Sequence, residues 1–582
     1  MTLLQEIEAA LGSAFAKVVG EPVETPVVPS GDLRFGDYQS NAAMALAKQR
    51  RTNPRALAQE VIDTVDLGDL ATAEIAGPGF INFRVSPSCF ARKAAEQIAD
   101  PRLGVPTTGE GRKIVIDFSA PNVAKPMHVG HIRSTILGDS LARIAGFLGY
   151  DVIRDNHIGD WGTQFGMILH GWKTILDQDQ LESDPVAELL RVYREVNALA
   201  KQDPAVLETC KGELVKLQGG DPENLQIWER CVELSKKGLQ KIYDRLDVSF
   251  DHWLGESFYN ERLPGLVDEF LDKGLARESD GAVCVFSSGE LSDDKDPFRI
   301  HKENGWTDNP AIIRKADGGF LYATTDLATV EYRIDEWKAD EIWYVVGAPQ
   351  QLHFRQIFDA SHRWGKDADF HHIAFGSILG EDRKLMKTRS GDNVQLVDVL
   401  DEAIERAAQA IREKNPELDG EEGREVAEIV GIGAVKFAEL SQHRLTDYVF
   451  SWDRMLALQG DTAPYLQYSY VRIRSIFRKL DGAFDPAGVD LLLEADEEVH
   501  LARLAIRYGE LLPTILEDHR PNLLANYLLE LARAFHSFFE ACPVLKAEEI
   551  SVRDSRLALC ELTSRVLSHG LGLLGIRCPE RM

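Results

Sequence analysis

The sequence predicts an α/β protein in which a parallel-sheet domain with a helical insertion lies between a small α+β domain and a C-terminal helix bundle. Short apolar, β-branched runs alternate with helical patterns from residue 113 to about residue 375, which is typical of a parallel sheet. From residue 427 onward almost only helical spacing of apolar residues recurs, which predicts the bundle. The 582 residues are enough for several domains.

Composition and charge limit the classes of protein that fit. The 44% hydrophobic and 27% charged residues are typical of a globular protein. No run of 18 or more apolar residues appears, so no membrane span is expected. The first eight residues contain acids but no basic leader, so no secretory signal is expected. The net charge of −28 argues against a protein that coats nucleic acid non-specifically, although a specific RNA partner needs only locally placed basic residues. Seven scattered cysteines without a C-x-x-C pair predict neither a disulfide framework nor a zinc ribbon, and fit a reducing cytosol.

Residues 1–110 are predicted to form the N-terminal α+β domain. Leu3, Ile7 and Leu11 have the spacing of a first helix, and residues 73–85 predict two strands around a Gly-Pro-Gly break. Residues 101–112 are rich in Pro, Gly and Thr, which makes them the first candidate linker.

A strand, a turn and a helix then form the stretch around which the sheet is predicted to be organised. Residues 113–117 form the strand, and apolar side chains at helical spacing follow in residues 137–148. The start of a helix favours phosphate, because its first N–H groups lack internal partners and its dipole is positive there. His128 and His131 lie at this start and can donate to phosphate oxygens, while Gly130 leaves room for a flat base. A plain helix cap with two surface histidines is the alternative that the spacing leaves open.

Polar residues also follow other predicted strands. Residues 150–154 form a second strand that leads into a loop with Asp160 and Trp161, and the strand 342–346 precedes Gln350. Open α/β sheets bind ligands at the carboxyl ends of their parallel strands. These residues are therefore candidate ligand-binding groups, although a packed turn would explain Asp160 and Trp161 equally well.

Between these strands, residues 170–300 are polar and rich in Asp and Glu, and predict a helical insertion with largely solvated charges. Tyr322 and Asp326 follow it and are four residues apart, so on a helix they share one face. A helix cap or a surface acid is the alternative for Asp326.

A basic loop follows the predicted strand at residues 371–375. Four basic residues occupy seven positions in it, including Lys384, Lys387 and Arg389. Such a loop can close over a polyphosphate and stabilise developing charge, although an exposed basic turn has the same composition.

The C-terminal bundle includes one helix, within residues 462–480, that mixes tyrosines with arginines. Tyr465, Tyr468 and Arg472 are among them. Aromatic and basic side chains on one element are suited to stacking on unpaired bases, and some of them could instead pack the bundle.

Together these features resemble one family over nearly the whole chain: the class I aminoacyl-tRNA synthetases, and within them the arginyl-tRNA synthetases. His128-Val-Gly-His131 is similar to the HIGH motif, and the longer stretch from Ser119 to Thr135 is much more specific. Further matching stretches are residues 36–41, 159–166, 322–328, 462–468 and 574–582.

The basic loop departs from the family's KMSKS motif. It reads Lys384-Leu-Met-Lys387-Thr-Arg389-Ser-Gly391. Alignment on the lysines matches Lys384 and Lys387, whereas alignment on Met386 and Gly391 puts Thr388 in place of the second lysine and matches Arg389 to a following basic residue. The sequence therefore leaves open which basic side chain contacts phosphate.

The resemblance implies a Rossmann-type catalytic domain at 111–390 with the insertion at about 170–300, a connecting helical region at 391–455 and an anticodon-binding bundle at 456–582. Residues 1–110 would contact the elbow of tRNA. The implied reaction joins L-arginine to ATP, giving arginyl-adenylate and pyrophosphate, and then transfers arginine to tRNA(Arg), with bound tRNA needed for activation. It implies ATP with Mg²⁺, no zinc or other protein-bound metal, no DNA or membrane partner, and a cytoplasmic monomer.

The resemblance also assigns residues. For catalysis and ATP binding they are Lys125, His128, Gly130, His131, Lys384, Lys387 and Arg389. For arginine they are Asp117, Ser119, Asn122, Tyr322, Asp326 and Gln350, and for tRNA they are Asp37, Tyr38, Asn41, Tyr465, Gln467, Arg472 and Met582.

Three alternatives have other functions. A nucleotidyltransferase acting on a small metabolite would not need the aromatic and basic bundle. A non-catalytic tRNA-binding relative would be expected to lose the histidine pair, which is present. A synthetase for another amino acid would charge tRNA with something other than arginine.

Overall fold

The structure is a computed structural model, and it describes residues 1–162, 164–384, 386, 394–480 and 482–582. The chain forms two compact units. We call residues 1–108, 457–573 and 577–582 the terminal unit, and residues 109–456 and 574–576 the central unit. Within the described ranges, every helix is too short or too polar to cross a lipid bilayer.

The N-terminal part of the terminal unit is an antiparallel sheet with helices, which confirms the predicted α+β domain. Its helices are α1 (Leu3–Val19), α2 (Ala42–Arg50), α3 (Pro54–Thr64) and α4 (Pro87–Ala99), with a 3₁₀ turn at Leu33–Phe35. Its strands are β1 (Val28–Pro29), β2 (Tyr38–Ser40), β3 (Ala71–Ala76) and β4 (Phe80–Val85), in the order β1-β2-β4-β3. Gly36 precedes β2 with a φ of 104°, and a Cβ there would lie 2.5 Å from the Phe83 carbonyl oxygen, so this turn requires glycine.

The central unit contains the parallel sheet, the insertion and the connecting helices. Its helices are α5 (Gly130–Phe147), α6 (Gln164–Thr174), α7 (Gln178–Ser183), α8 (Pro185–Gln202), α9 (Pro204–Gln218), α10 (Pro222–Arg245), α11 (Leu263–Asp272), α12 (Tyr322–Asp335), α13 (Gln351–Trp364), α14 (Leu396–Lys414), α15 (Gly420–Leu440) and α16 (Trp452–Met455), with 3₁₀ turns at Glu256–Arg262 and Ala348–Gln350. Its strands are β5 (Lys113–Asp117), β6 (Asp151–Asp155), β7 (Ala276–Ser279), β8 (Ala282–Val285), β9 (Arg299–Lys302), β10 (Gly305–Asp308), β11 (Ala311–Arg314), β12 (Glu341–Tyr344), β13 (Asp369–His372), β14 (Ile378–Leu379) and β15 (Tyr448–Val449).

Four parallel strands in the order β13-β12-β5-β6 form the main sheet, as the alternating pattern predicted. Ile114, Val115 and Ile116 are fully buried in β5, because a central parallel strand is covered on both faces. Asp117 at the end of β5 pairs in register with Asp155 of β6 on one side and with Tyr344 of β12 on the other. The polar ends of three strands therefore lie next to one another.

The insertion is helical in α6–α10 but ends in antiparallel strands that the sequence analysis did not predict. Strands β7 and β8 form a hairpin closed by Asp280 and Gly281, and β11 extends it to the order β11-β8-β7. Strands β9 and β10 form a second hairpin. The Asp-Gly pair is a strong hairpin signal, and its flanking strands of four residues each are too short for a clear alternating pattern.

Five helices complete the terminal unit and confirm the predicted all-α C-terminal part. They are α17 (Ala463–Phe477), α18 (Asp496–Ile506), α19 (Tyr508–Asp518), α20 (Asn522–Ala541) and α21 (Ile550–Leu573). The N-terminal domain packs on them in the same compact unit. Asp37 forms an ion pair of 2.7 Å with Arg503, and the Tyr38 hydroxyl donates to Glu510 over 3.0 Å.

Helix α5 is buried along most of its length, and one of its glycines sets how closely it approaches the strand end. A Cβ on Gly138 would lie 2.2 Å from Cγ of Phe118, which is itself fully buried. Gly146 lies on the same helix, is exposed, and has nothing within 4 Å of its Cβ position. The two glycines therefore differ in packing but share a helical backbone.

We predict that Gly138→Ala destabilises the protein by about 1–3 kcal/mol, because the added methyl group displaces Phe118 in a closely packed core. Calorimetric or urea unfolding of the full chain measures this change.

The matched control is Gly146→Ala, which should leave stability unchanged or raise it by up to about 1 kcal/mol, because alanine is the better helix former. Equal effects of the two substitutions would contradict the proposed close contact of α5 with Phe118.

Candidate active site

The turn between β5 and α5 has a constrained backbone. Ser119, Ala120 and Ala124 have φ angles of 73°, 44° and 59°, which side chains larger than glycine rarely adopt. The Ser119 amide donates to Ser134 over 2.8 Å, and the Ser119 hydroxyl lies 2.7 Å from the Tyr243 hydroxyl. Thr135 also donates to Ser119 over 2.8 Å. The buried Ser119 side chain therefore holds the turn, and its predicted contact with a ligand stays a prediction.

The two histidines lie together at the start of α5. Their ring centroids are 4.0 Å apart. Nδ1 of His128 accepts from the Gly130 amide over 3.1 Å, and Nδ1 of His131 accepts from the His128 amide over 3.1 Å. An accepting Nδ1 puts the proton of the neutral His128 ring on Nε2. Nδ1 of His131 also lies 3.3 Å from the His128 carbonyl oxygen, so each tautomer of His131 has a backbone partner.

Both imidazoles are neutral at physiological pH. Burial, with a smaller contribution from the charge of His128, lowers the pKa of His131 to about 4. Burial and the charge of Lys125 lower the pKa of His128. Burial also lowers the pKa of Lys125, whose Nζ lies 5.1 Å from the ring centroid of Tyr193. This end of the site therefore offers two neutral donors and one lysine at a helix start.

At the strand ends, a buried arginine is bound to two carboxylates. One Nη of Arg333, from α12, lies 2.6 Å from Asp117 and 2.7 Å from Asp155. Burial lowers the pKa of Arg333, but the charges of Asp117 and Asp155 outweigh it and hold that pKa well above the ordinary value. Burial also raises the pKa of Asp155, against the charge of Arg333. One guanidinium facing two carboxylates leaves this corner with an excess of negative charge.

Helix α12 brings Tyr322 and Asp326 to the same region, as their spacing predicted. Nε2 of His353 lies 2.5 Å from Oδ2 of Asp326. Tyr322 is 71% exposed at the first turn of the helix. Partial burial and the charge of Glu256 raise the pKa of Tyr322, so the two side chains interact electrostatically.

Glu256 is a residue of the site that sequence reasoning missed. Burial, and then the charges of Asp160 and Asp326, raise its pKa to about 8, while the Trp161 backbone N–H donates to it and opposes the rise. A buried carboxyl group beside other acids favours a cationic ligand, because the positive charge stabilises its ionised form against burial and against the neighbouring negative charges. The one signal in the sequence is an acid next to Gly255, in a stretch that we read as largely solvated.

Three other predicted residues lie around this centre. Asn122 is exposed and forms an isolated bridge with Gly159, where a Cβ would lie 2.4 Å from Oδ1 of Asn122. Gln350 is exposed at the end of the 3₁₀ turn after β12. Lys384 is exposed in the basic loop. Lys387 and Arg389 lie outside the described residues.

The base of the basic loop is attached to helix α5. Strand β14 leads into the loop and pairs in parallel with β15. The buried Arg133 of α5 forms an ion pair with Glu439 and donates to the Thr446 carbonyl oxygen over 3.0 Å. Burial raises the pKa of Glu439 against the charge of Arg133. The helix that carries the histidine pair at its start therefore also contacts the segment that leads into β15, and β15 pairs with the strand before the loop.

The predicted tRNA-binding residues lie in the terminal unit, and three of them are buried. Asp37 and Tyr38 make the contacts with Arg503 and Glu510, and Gln467 donates to the Arg577 carbonyl oxygen over 2.8 Å. These three side chains hold the unit together and have almost no accessible surface, and their assignment as tRNA contacts stays a prediction. They are 8%, 2% and 0% exposed.

The remaining predicted tRNA residues keep accessible surface. Asn41 is exposed, and Tyr465 and Met582 are partly exposed. The Arg472 guanidinium lies 4.2 Å from the ring centroid of Phe539 and donates to His536 over 3.1 Å. Across both units, the described residues contain no group of three or more His, Cys, Asp or Glu side chains that could hold a metal ion.

A parallel sheet with a histidine pair at the helix start after β5, and acids at the neighbouring strand ends, defines the catalytic domain of a class I aminoacyl-tRNA synthetase. The family model described as tRNA synthetases class I (R), catalytic domain, matches residues 95–452. The Arginyl tRNA synthetase N terminal domain model matches residues 1–85, and the DALR anticodon binding domain model matches residues 466–582.

Individual relatives agree. The chain is 45% identical to the arginine–tRNA ligase of Thermobifida fusca over 100% of this chain and 99% of that protein. It is similar to the crystal structure of arginyl-tRNA synthetase from Plasmodium falciparum, with 27% identity, a TM-score of 0.83, and 100% and 99% of the two chains covered. It is also similar to arginyl-tRNA synthetase of Thermus thermophilus, with 26% identity, a TM-score of 0.82 and 100% of both chains covered. The chain belongs to the arginyl-tRNA synthetase family, the arginine–tRNA ligases.

We predict that Arg333→Met destabilises the protein by about 3–5 kcal/mol, because it leaves two buried carboxylates facing each other without a cation. The loss should be larger at pH 8 than at pH 5, since protonation of one carboxyl group relieves the repulsion at low pH. Chemical unfolding at the two pH values measures it.

The control is Arg230→Met, which removes an exposed ion pair of 2.7 Å with Glu233 and should cost less than about 1 kcal/mol. If the two variants lost the same stability, Arg333 would not be the buried cation of the site.

Proposed function

We propose that this chain forms arginyl-adenylate at the turn between β5 and α5, with ATP at the histidine pair and arginine at the acidic strand ends, and then transfers arginine to tRNA(Arg). The observation that carries this proposal is the contrast between the two sides of the turn. Neutral donors lie at the start of α5, whereas carboxylates outnumber cations at the ends of β5 and β6. An anionic triphosphate fits the first side and a cationic amino acid the second.

ATP binding would use Lys125, His128 and His131, with Gly130 leaving room beside the His128 ring. A Cβ on Gly130 would lie 2.9 Å from that ring. Lys384, Lys387 and Arg389 would approach the phosphates from the basic loop. The imidazoles and Lys125 offer no carboxylate ligand, so we expect Mg²⁺ to arrive with ATP and to neutralise charge on its phosphates.

Activation is an in-line attack of the arginine carboxylate on the α-phosphate, with pyrophosphate leaving. The attacking group is already an anion, so no base has to remove a proton from it. The protein therefore acts by holding two substrates in line and by stabilising the charge that develops on the phosphate. Asp117 would bind the α-ammonium group, and Asn122 and Gln350 would bind the main-chain end of arginine.

The guanidinium group would lie between Asp326 and Glu256, with Tyr322 beside it. A guanidinium has five donors and no acceptor, so carboxylates are its natural partners. Lysine lacks the planar fork and citrulline lacks the charge. Either ligand would leave a buried acid poorly paired, which is the basis for strong rejection.

For tRNA, the exposed side chains support a role of Asn41 in the N-terminal domain and of Tyr465, Arg472 and Met582 in the C-terminal bundle. Aromatic and arginine side chains on one surface can stack on unpaired bases. We propose that tRNA(Arg) must be bound before arginine is activated, and that the enzyme acts as a cytoplasmic monomer.

We predict that the full chain attaches arginine, and none of the other standard amino acids, to bulk tRNA in the presence of ATP and Mg²⁺. Arginine-dependent exchange of pyrophosphate into ATP should need added tRNA. Attachment of a different amino acid would refute the substrate assignment, and equal exchange rates with and without tRNA would refute the tRNA requirement alone.

We predict that arginine binding releases a proton below pH 8, because the bound guanidinium favours the ionised form of a carboxyl group whose pKa is about 8 in the free protein. Affinity should therefore fall by up to about tenfold for each pH unit below 8, and level off above it. Calorimetric titration with L-arginine from pH 6 to pH 9 measures the dependence.

Glu256→Gln should remove this pH dependence and weaken arginine binding at pH 8 by about 10-fold to 100-fold, because a charged hydrogen bond is lost. Any titration of the ligand's own amino group is common to both proteins and cancels in the comparison. The same pH profile in the wild-type and Gln proteins would exclude Glu256 from the pocket.

A further inference from the structure

The buried carboxylate of Asp160 packs against the turn that carries Glu256. It follows β6 in the loop before α6 and is 4% exposed. Its Oδ1 accepts from the Ser257 amide over 2.9 Å, and its Oδ2 accepts from the Ser257 hydroxyl over 2.7 Å. Both oxygens are therefore used to hold the residue directly after Glu256.

The residue before Glu256 is fitted to the same carboxylate. A Cβ on Gly255 would lie 2.2 Å from Oδ2 of Asp160, so only glycine allows this approach. The Glu256 amide donates to the Ile158 carbonyl oxygen over 3.2 Å, and the Trp161 amide donates to the Glu256 carboxylate. The three residues 255–257 are thus held from below by the loop 158–161.

That loop is itself anchored to the insertion. The Trp228 indole N–H donates to the Asp160 carbonyl oxygen over 2.8 Å, and the Trp161 and Trp228 rings meet edge to face at 5.6 Å. The Asp160 carboxylate is therefore fixed by packing as well as by its hydrogen bonds.

The charges around Asp160 do not cancel. Among the described residues, no Lys or Arg lies within ion-pair distance of its carboxylate, although His157 and Lys236 exert a weaker opposing charge. Nζ of Lys236 is directed to the Trp253 carbonyl oxygen, 3.3 Å away. The negative charges of Asp160 and Asp326 both act on the Glu256 carboxyl group and raise its pKa. Two buried carboxyl groups side by side are costly unless a cation or a proton lies between them.

We propose that Asp160 is a positioning residue for arginine recognition, which holds the Gly255–Ser257 turn so that Glu256 faces the pocket and whose charge makes binding an exchange of a proton for a guanidinium. This inference rests on the proposed function, since it takes Glu256 to be the guanidinium ligand. A neutral ligand of the same shape cannot displace the proton, so the pair of acids selects for charge as well as for shape. Asp160 acts through Glu256 and does not touch the substrate.

The test is the number of protons released when L-arginine binds to the full chain at pH 7, obtained by calorimetry in two buffers of different ionisation enthalpy. The wild-type protein should release more than about half a proton, because the pKa of Glu256 in the free protein lies near 8. Asp160→Asn keeps an acceptor for the Ser257 amide but removes the charge, which is the second cause of the shift after burial, and should release fewer protons than the wild type.

Two further variants separate charge from position. Ser257→Ala keeps the charge of Asp160 and removes one hydrogen bond, so it should weaken arginine binding several-fold while proton release stays near the wild-type number. Asp151→Asn, an exposed acid at the start of β6, is the matched surface control and should change neither quantity.

The outcomes distinguish a failure of the role proposed for Asp160 from a failure of the assignment of Glu256 as the guanidinium ligand. If Asp160→Asn releases the wild-type number of protons, the charge of Asp160 does not act on Glu256, and that half of the proposal is wrong. If Ser257→Ala binds arginine like the wild type, Asp160 does not position Glu256. If Glu256→Gln binds arginine normally, the guanidinium assignment itself is wrong. If Asp160→Asn does not fold, the Ser257→Ala result alone upholds or overturns the positioning role.

Discussion

The active site depends on one buried guanidinium, that of Arg333. Its contacts with Asp117 and Asp155 join the ends of two adjacent parallel strands to α12. That helix also carries Tyr322 and Asp326, so the same contacts would fix the main-chain end and the side-chain end of the proposed arginine site relative to each other. Burying three charges contributes little net stability, because the lost hydration offsets the attraction. We therefore attribute the presence of this cluster at the strand ends to the positions that it fixes, and not to a gain in stability.

The electrostatics of the site follow from this arrangement. The buried imidazoles at the start of α5 are neutral and offer donors without a competing positive charge, while Asp117 and Asp155 outnumber Arg333 at the strand ends. Arginine carries two positive charges and ATP several negative ones. The turn between β5 and α5 lies between the two regions, so the arginine carboxylate and the α-phosphate would meet there. A preorganised field of this kind acts on developing charge without reorganising during the reaction.

Sequence patterns over a few residues predicted those parts of the site that lie within single segments of the chain. Strand β5, the start of α5 and the shared face of Tyr322 and Asp326 all follow from periodicity and from the rule that ligands bind at parallel strand ends. Glu256 could not be found in this way, because it reaches the pocket from the far end of a long insertion. Arg333 lies in the middle of a helix with no motif around it, and only the folded chain shows its two carboxylate partners.

Asp37, Tyr38 and Gln467 belong to stretches that resemble the family, and the resemblance alone does not distinguish a residue that binds tRNA from one that holds a domain together. Only the folded chain shows that all three are buried and which residues they contact. The short hairpins of the insertion were missed because strands of four residues leave too little pattern for a period of two.

The most direct test of the account is a crystal structure of the full chain with L-arginine bound. The account predicts the guanidinium nitrogens about 2.7–3.0 Å from carboxylate oxygens of both Asp326 and Glu256, and the α-ammonium group against Asp117. A reversed ligand, with its α-ammonium group between Asp326 and Glu256, or a Glu256 side chain directed away from the ligand, would contradict it.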